Sequence, residues 1–193
     1  MVSDPLVLGF DTSAAHCAAA LLRGDVLLGS FAKDMTRGQA EELMPLIEEL
    51  LAEHAVGWKD LDALGVGVGP GNFTGIRISV SAARGLALSL NIPCLGVSTF
   101  EASLLNAAPG TVAAVPAPRD QQYVLEPGAE PRLVSLPYEG ESEVVNPPVA
   151  KVLAENIARC ALARMGTDIA RPAPLYIRAA DAAPSRDLPP KIL

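Results

Sequence analysis

The stretch LDALGVGVGPGNFTGIRIS, from Leu61 to Ser79, decides the fold. Its first part, up to Val68, is apolar and rich in Val, which predicts a buried strand. Gly69-Pro70-Gly71 then turns the chain, and Thr74 to Leu90 predicts a helix. A glycine turn between a strand and a helix can offer backbone N–H groups to an anion. It can also serve close packing of strand on helix, and spacing alone favours that interpretation.

No standard nucleotide motif accounts for this turn. The sequence GxxxxGK[ST] is absent, no Lys lies near Gly69, and Gly67, Gly69 and Gly71 alternate without forming GxGxxG in its proper place. Gly69 and Gly71 therefore remain candidates only for a degenerate cleft with weak ATP or ADP binding and no other cofactor.

A second candidate group follows the first predicted strand, Leu6 to Phe10. There the Asp11 carboxylate could hold a metal-bound water, and the Thr12 and Ser13 hydroxyls could bind a phosphate. The same residues also form ordinary turns, in which Asp and Ser side chains bond the local backbone. Sequence alone leaves both interpretations open.

The order of the predicted elements points to a fold class. Three short strands precede the helix in RGQAEELMPLIEELLAEHA, where Pro45 predicts a kink or a late start. A strand, the second helix and the strand IPCLGVS follow. This is the order of one half of an actin/hexokinase-like ATPase (ribonuclease H-like) α/β fold. We predict two subdomains, residues 1–106 and a shorter 107–193, the latter with a Pro-rich tail from Asp181.

Composition excludes several functions. The net charge is −7 without a Lys/Arg cluster, so the chain should not grip nucleic acid by itself. Cys17, Cys94 and Cys160 form no CxxC pair, and His16 and His54 are too far apart for a helical metal pair. The helix macrodipole suffices to explain His54. We expect no metal site, no signal peptide, no membrane span and a cytoplasmic location.

Both predicted helices carry more apolar surface than one sheet can cover. In the second, the only charges are Arg77 and Arg84, which are seven positions apart and so lie nearly on one line. A helix that is apolar almost all round must be covered on most sides.

Several stretches resemble one family. LGFDTSAAHCAAALL, RGQAEELMPLIEELL, GPGNFTGIRISVSAARGLALSLNIPCLGVSTFEAS and the late APLYIR are similar to the TsaB (YeaZ) family, continuously from Leu6 to Ser103. That family usually shows a DAR-like triplet before a Tyr. Here Ala117-Pro118-Arg119 precedes Tyr123.

The resemblance implies an actin-like ATPase fold and a catalytically silent subunit. The family is the dimerisation subunit of the bacterial complex that makes N6-threonylcarbamoyladenosine in tRNA. Its partners are itself, the TsaD subunit that carries the metal and the transfer reaction, the ATPase TsaE and, only indirectly, tRNA. TRGQAEELMP lacks the His pair with which TsaD binds metal, so we expect neither metal nor catalytic residues here.

In the family the first two helices build the homodimer and the interface with TsaD. By this resemblance we predict partner contacts at nine positions, the two arginines pairing with acidic residues such as Glu41 or Glu48. They are Leu43, Leu46, Ile47, Leu50, Ile76, Arg77, Val80, Ala83 and Arg84. The alternative function is an ATP-dependent phosphotransferase of the actin/hexokinase class that uses Asp11. A metallopeptidase of the M22 glycoprotease type is disfavoured because the ligands are missing.

Overall fold

The structure is a computed structural model that describes residues 4–140, 142–167 and 170–177. Its first sheet has five strands in the order β3-β2-β1-β4-β5. β1 runs antiparallel to β2, and β2 to β3, whereas β1, β4 and β5 are parallel. The strands are β1 (Leu6–Asp11), β2 (His16–Arg23), β3 (Val26–Asp34), β4 (Ala63–Gly67) and β5 (Cys94–Val97). The predicted element order is confirmed.

Helices cover both faces of this sheet, which explains why β1 and β4 are buried along their whole length. Alternate side chains such as Leu8 and Phe10 pack with one pair of helices, and Val7 packs with another helix on the opposite face. The helices are α1 (Gln39–Glu53), α2 (Phe73–Leu90), α3 (Thr99–Leu104) and α4 (Ala150–Ala163), with a 3-10 turn at Trp58–Asp60.

Helix α1 runs unbroken past its proline. It begins at Gln39 after Gly38, whose φ is 88°, and continues through Pro45 to Glu53. The predicted late start at Pro45 is therefore wrong. Pro45 lies on the exposed side, and the buried side chains of Leu46 and Ile47 hold the helix on the sheet despite the missing N–H.

Helix α2 begins one residue before the predicted start. The Asn72 side chain accepts a hydrogen bond from the Gly75 N–H at 2.9 Å, which caps the helix, and Asn91 ends it in a left-handed conformation with φ 54°. Over the described ranges, neither this helix nor another is long and apolar enough to cross a membrane.

The second sheet follows the chain order only in part, since its order is β8-β7-β6-β9. β6 pairs antiparallel with β7 and parallel with the short β9. These strands are β6 (Val112–Ala117), β7 (Gln121–Leu125), β8 (Arg132–Ser135) and β9 (Val144–Val145).

Helix α4 crosses the predicted subdomain boundary. Although it belongs to the second half of the sequence, its Ala154, Ala158 and Ala161 pack on the first sheet. Glycine makes this approach possible, because a Cβ at Gly9 would lie 2.6 Å from the Ala154 carbonyl oxygen. The structural layers thus do not follow the division into 1–106 and 107–193. The predicted Pro-rich tail lies outside the described residues.

Candidate functional site

A cleft of about 1190 Å³ opens where β1 and β4 end and faces the second sheet. The turn after β1 and the turn before α2 form one wall, and the β6–β7 hairpin forms another. Five segments contribute most of its lining: 13–16, 70–73, 115–119, 146–148 and 175–177. The two turns that the sequence singles out thus meet at the same place.

Asp11 lies below the surface next to this cleft and is fully buried. One of its carboxylate oxygens accepts three hydrogen bonds. Its Oδ2 accepts from the Ser13 N–H at 2.9 Å, the Ser13 hydroxyl at 2.9 Å and His16 Nε2 at 2.8 Å. Sequence reasoning missed the role of His16. The two predicted strands could have indicated this contact. Their antiparallel pairing sets Asp11 opposite Ala18, and this brings the start of β2, where His16 lies, to the end of β1.

The other carboxylate oxygen of Asp11, Oδ1, is buried and has no hydrogen-bond partner among the described residues. It fills the space that a side chain at Gly67 would take. The glycine at position 67 is therefore explained by close approach to a carboxylate. Asp11 itself does not line the cleft.

The glycine turn is packed tightly against the end of β1. The Asn72 N–H donates to the Ser13 carbonyl at 2.6 Å, and the Thr12 hydroxyl donates to the Gly75 carbonyl at 2.7 Å. A Cβ at Gly71 would overlap the Ser13 carbonyl oxygen. The packing interpretation accounts for this glycine.

Of the five residues predicted to bind a cofactor, only Ser13 and Gly71 line the cleft. Asp11 and Thr12 are buried and engaged in local hydrogen bonds. Gly69 has φ 90° and accepts the Thr99 N–H at 2.8 Å through its carbonyl. These three residues serve the junction between β1, β4 and α2.

At the rim of the cleft, the Arg77 guanidinium stacks over the ring of Phe73 and lies beside Tyr176. Its guanidinium carbon lies 3.8 Å from the centroid of Phe73 and 5.9 Å from that of Tyr176. Its Nε donates to the Tyr176 hydroxyl at 2.9 Å. The sequence marked Arg77 as a partner contact and gave no role to Tyr176, which is 99 residues away.

The apolar residues predicted as partner contacts are placed in the core of the chain itself. The seven are no more than 5% exposed and belong to the cluster between the sheet and helices α1 and α2. They are Leu43, Leu46, Ile47, Leu50, Ile76, Val80 and Ala83. As side chains of an exposed partner surface they are the wrong set, because the helical stripe with the largest apolar side chains faces the sheet.

The two arginines of that predicted set, Arg77 and Arg84, are exposed. Neither forms an ion pair with Glu41 or Glu48 among the described residues of this chain. A pairing across an interface with another chain stays a prediction.

The other residues that could carry chemistry, His54, Cys17 and Cys94, are at least partly buried in the fold. The ring of His54 fills the space above Gly29, and its Nε2 is buried without a hydrogen-bond partner among the described residues. Burial raises the pKa of Cys17 to about 11 and that of Cys94 to about 12, so both thiols stay protonated at neutral pH. Within 4–140, 142–167 and 170–177, no group of three His, Cys, Asp or Glu residues is placed to hold a metal.

The sheet order, the parallel β1-β4-β5 portion and the cleft at the strand ends define the class: a ribonuclease H-like, actin-like ATPase fold. Solved structures agree. A protein from Pseudomonas aeruginosa described as similar to peptidase YEAZ matches with a TM-score of 0.67 at 24% identity, over 90% of this chain and 100% of that one. YeaZ from Pseudomonas aeruginosa matches with a TM-score of 0.65 at 26% identity, over 83% and 93%.

Sequence comparison gives the family. Residues 32–133 match the family model described as TsaD, tRNA N6-adenosine threonylcarbamoyltransferase. Several relatives are named tRNA threonylcarbamoyladenosine biosynthesis protein TsaB. The one from Buchnera aphidicola is 37% identical over 95 residues, which cover 49% of this chain and 45% of the relative. The one from Haemophilus influenzae is 35% identical over 124 residues, which cover 61% of this chain and 51% of the relative. The Escherichia coli TsaB is 34% identical over 94 residues, covering 49% and 40%.

The chain belongs to the family of the TsaD model, and its sequence relatives within that family are the TsaB (YeaZ) proteins. The resemblance seen in the motifs is thereby confirmed. The chain spans about half the length of the curated relatives it matches, between 40% and 51% for these three.

Proposed function

We propose that this chain is a non-catalytic subunit that supports formation of N6-threonylcarbamoyladenosine in tRNA and pairs with a TsaD-like catalytic subunit. The names of its TsaB relatives support the pathway. The observation that carries the non-catalytic role is the state of Asp11, whose Oδ2 is occupied by Ser13 and His16 and whose Oδ1 lies against Gly67. A carboxylate so enclosed does not reach a substrate in the cleft.

The same observation disfavours the phosphotransferase alternative. Phosphoryl transfer needs groups that hold a metal–phosphate complex and a residue that positions or deprotonates the acceptor. The cleft lining includes no Asp, Glu, Lys or Cys among the described residues. A metallopeptidase is disfavoured for the same kind of reason, since no three-residue metal cluster is found in the described part of the chain.

For the partner surface we propose the exposed faces of α1 and α2, with side chains that differ from the predicted apolar set. Arg77, Ser81, Arg84 and Leu88 are exposed along one side of α2, and Leu88 is 85% exposed. A shallow groove of about 540 Å³ runs among the first three of these, Val80 and Pro174. An exposed large apolar side chain beside such a groove is typical of a contact surface.

Charge supports pairing with a chain of similar architecture. The exposed side of α1 carries Glu41, Glu48 and Glu49, and the exposed side of α2 carries Arg77 and Arg84. When two related chains associate about a two-fold axis, the acidic face of one can meet the basic face of the other. This arrangement serves a homodimer, and we propose the same faces for contact with a TsaD-like subunit.

We also propose that a TsaE-like ATPase and tRNA meet the assembled complex, tRNA only through the partners, and that the chain works in the cytoplasm. The net charge of −7 supports the indirect contact with tRNA, because an acidic chain repels phosphates. ATP and ADP are not proposed as cofactors of catalysis by this chain.

The test is light scattering after gel filtration, for the chain alone and mixed with the TsaD-like subunit of the same organism. Arg84→Glu and Leu88→Asp change the proposed surface, and Lys151→Glu reverses an exposed charge on α4 as the matched control. We expect the first two variants to lose the complex and the control to keep it, with unchanged circular dichroism in all three. A complex that survives both substitutions, or adenosine modification by the chain alone, contradicts the proposal.

A further inference from the structure

The outer edge of β3 has no partner strand among the described residues, because β3 ends the first sheet and pairs there with β2. β2 is buried from His16 to Leu22, whereas every residue of β3 is at least partly exposed. The free N–H and C=O groups of an edge strand form a template for another strand. A segment of another protein could therefore extend the sheet at β3.

The regular part of this edge runs from Gly29 to Asp34. Over this range β3 keeps an unbroken antiparallel register with β2. The register shifts just before it, where Leu28 is the extra residue, and such a bulge twists the edge and limits pairing there. The only charged side chains of the range are those of Lys33 and Asp34, at its end. The middle of the edge thus lacks the charges with which edge strands are commonly protected.

Helix α1 is held along this same stretch at both of its ends. Near its start, the Lys33 ammonium group donates to Glu42 Oε1 at 2.7 Å. Just past its end, the ring of His54 fills the space above Gly29. The helix from Glu42 to His54 spans roughly 18 Å, and the strand from Gly29 to Lys33 spans roughly 13 Å. Because these lengths are similar, the helix accompanies the edge over its regular part.

The side of α1 that lies beside this edge is acidic. The helix contains five Glu and no Lys or Arg. At about 100° per residue, Glu49 and Glu53 lie within about 20° of Glu42 around the helix axis, so the three carboxylates form one row. Glu49 and Glu53 are exposed, and neither has an ion pair among the described residues. This row attracts a segment that carries Lys or Arg and repels an acidic one.

The opposite face of β3, towards α4, is suited to apolar side chains. Ala32 packs there with Ala150 of α4. The Arg159 guanidinium reaches the Asp25 carbonyl in the β2–β3 turn at 3.1 Å and also binds Glu155, through Nε at 2.9 Å and Nη2 at 2.8 Å. The charges of Arg159 and Glu155 therefore neutralise each other. Since successive side chains of a strand point to opposite faces, a segment with alternating basic and apolar residues matches both sides.

A second copy of the chain matches this edge less well. A two-fold axis that pairs β3 with β3 keeps the same face of both sheets on the same side. The acidic rows of the two α1 helices would then lie on one side of the joint sheet, where their charges repel each other.

We propose that the edge of β3 from Gly29 to Asp34 binds an extended basic segment of another protein as an added strand. The Lys or Arg side chains of this segment face α1, and its apolar side chains face α4. The contact leaves the exposed side of α2, with Arg84 and Leu88, free for the subunit partner proposed above.

The test is fluorescence anisotropy with a labelled eight-residue peptide of alternating Lys and Val as the probe. A peptide of alternating Glu and Val is the charge control. The variant Glu49→Lys/Glu53→Lys reverses two charges of the acidic row. Its matched control is Glu130→Lys/Glu143→Lys, which makes the same charge change at exposed positions of the second half.

Two further peptides distinguish an added strand from charge attraction alone. Along a strand, the N–H groups of alternate residues point to the same edge. One peptide is N-methylated at every Lys and the other at every Val, so that each loses one set of N–H groups and keeps its charge. Only the peptide that keeps the N–H groups facing β3 should bind. Hydrogen exchange, measured with and without the Lys-Val peptide, locates the contact.

We expect saturable binding of the Lys-Val peptide, none of the Glu-Val peptide, and slower exchange over 29–34 in the complex. The Glu49→Lys/Glu53→Lys variant should lose about tenfold or more in affinity, and the control variant should bind normally. The proposal is overturned if the Lys-Val peptide does not saturate up to millimolar concentrations, if both N-methylated peptides bind equally, or if the two variants bind alike. It also fails if 29–34 becomes protected only as the concentration of the chain itself is raised, because the occupant is then a second copy. No TsaD-like subunit enters these measurements, so their outcome is independent of the proposed function.

Discussion

His16 Nε2 lies 2.8 Å from Asp11 Oδ2, and this contact joins the start of β2 to the end of β1 beside the cleft. Both side chains are almost completely withdrawn from solvent, at 11% and 1% exposure. The pair is therefore part of the framework that fixes the two turns at the cleft, and its removal should act first on stability.

Asp11→Ala should lower the free energy of unfolding by about 3 kcal/mol, because the donors on Ser13 and His16 lose their acceptor inside the protein. Urea denaturation measures this. Asp34→Ala, at the exposed end of β3, is the control and should change stability by less than about 0.5 kcal/mol. Equal effects of the two substitutions would show that the buried network contributes nothing.

Gly67→Ala should destabilise the chain by about 2 kcal/mol or more, since its methyl group would overlap the buried Asp11 Oδ1. Gly85→Ala is the matched control in the middle of α2, where nothing lies within 4 Å of the added Cβ. It should stabilise the helix by about 0.5–1 kcal/mol. Thermal melts of both variants decide, and a stable Gly67→Ala protein contradicts the packing described.

Leu46 and Leu88 distinguish the core from the surface of the helical layer. Leu46 is 5% exposed and Leu88 is 85% exposed. Leu46→Glu should cost more than about 3 kcal/mol because it buries an unpaired charge, whereas Leu88→Glu should stay within about 0.5 kcal/mol of the parent. Chemical denaturation checks both. If Leu46→Glu remains fully stable, that side chain is not in the core, and the original interface prediction regains support.

Cysteine titration should make stability depend on alkaline pH. Burial raises the pKa of Cys17 from its ordinary value of 9.0 to about 11, and that of Cys94 to about 12. Between pH 9 and these values the unfolded chain loses thiol protons that the folded chain keeps. Stability is therefore fully present below about pH 9 and falls as the pH rises through the folded pKa values.

The same shifts predict slow alkylation. At pH 8, native Cys17 and Cys94 should react with iodoacetamide far more slowly than in urea, because the thiolate is the nucleophile. Mass spectrometry of timed samples measures both states. Cys17→Ala and Cys94→Ala, examined singly, assign the rates, and native rates equal to those in urea contradict the burial of the thiols.

The order of strands and helices could be predicted because each element has a recognisable pattern of residues within a short stretch of sequence. The Val-rich stretch before Gly69 and the apolar periodicity of α1 and α2 are visible within short windows. Boundaries agree within a residue or two where a cap sets them, as Asn72 does for α2. Helix α1 continues through Pro45 because buried neighbours on the same helix hold it on the sheet. A rule about proline alone does not take these neighbours into account.

The site was harder to predict because its contacts are remote in sequence. Tyr176 reaches Arg77 over 99 positions, and α4 returns from the second half to the first sheet. The width of an apolar stripe on α1 and α2 also does not reveal which of its sides meets the sheet. The prediction therefore assigned core residues such as Ile47 and Ile76 to a partner surface.

The return of α4 to the first sheet has a consequence for synthesis of the chain. Val7, Leu22 and Ala63 find their apolar neighbours Ala158 and Ala161 only when this helix has been made. Because α4 ends at Ala163, a nascent chain released at the end of the first half would leave one face of its sheet open to water. The ribosome must deliver nearly all of the described residues before the first-made strands are closed in, and until then that face is a natural substrate for chaperones.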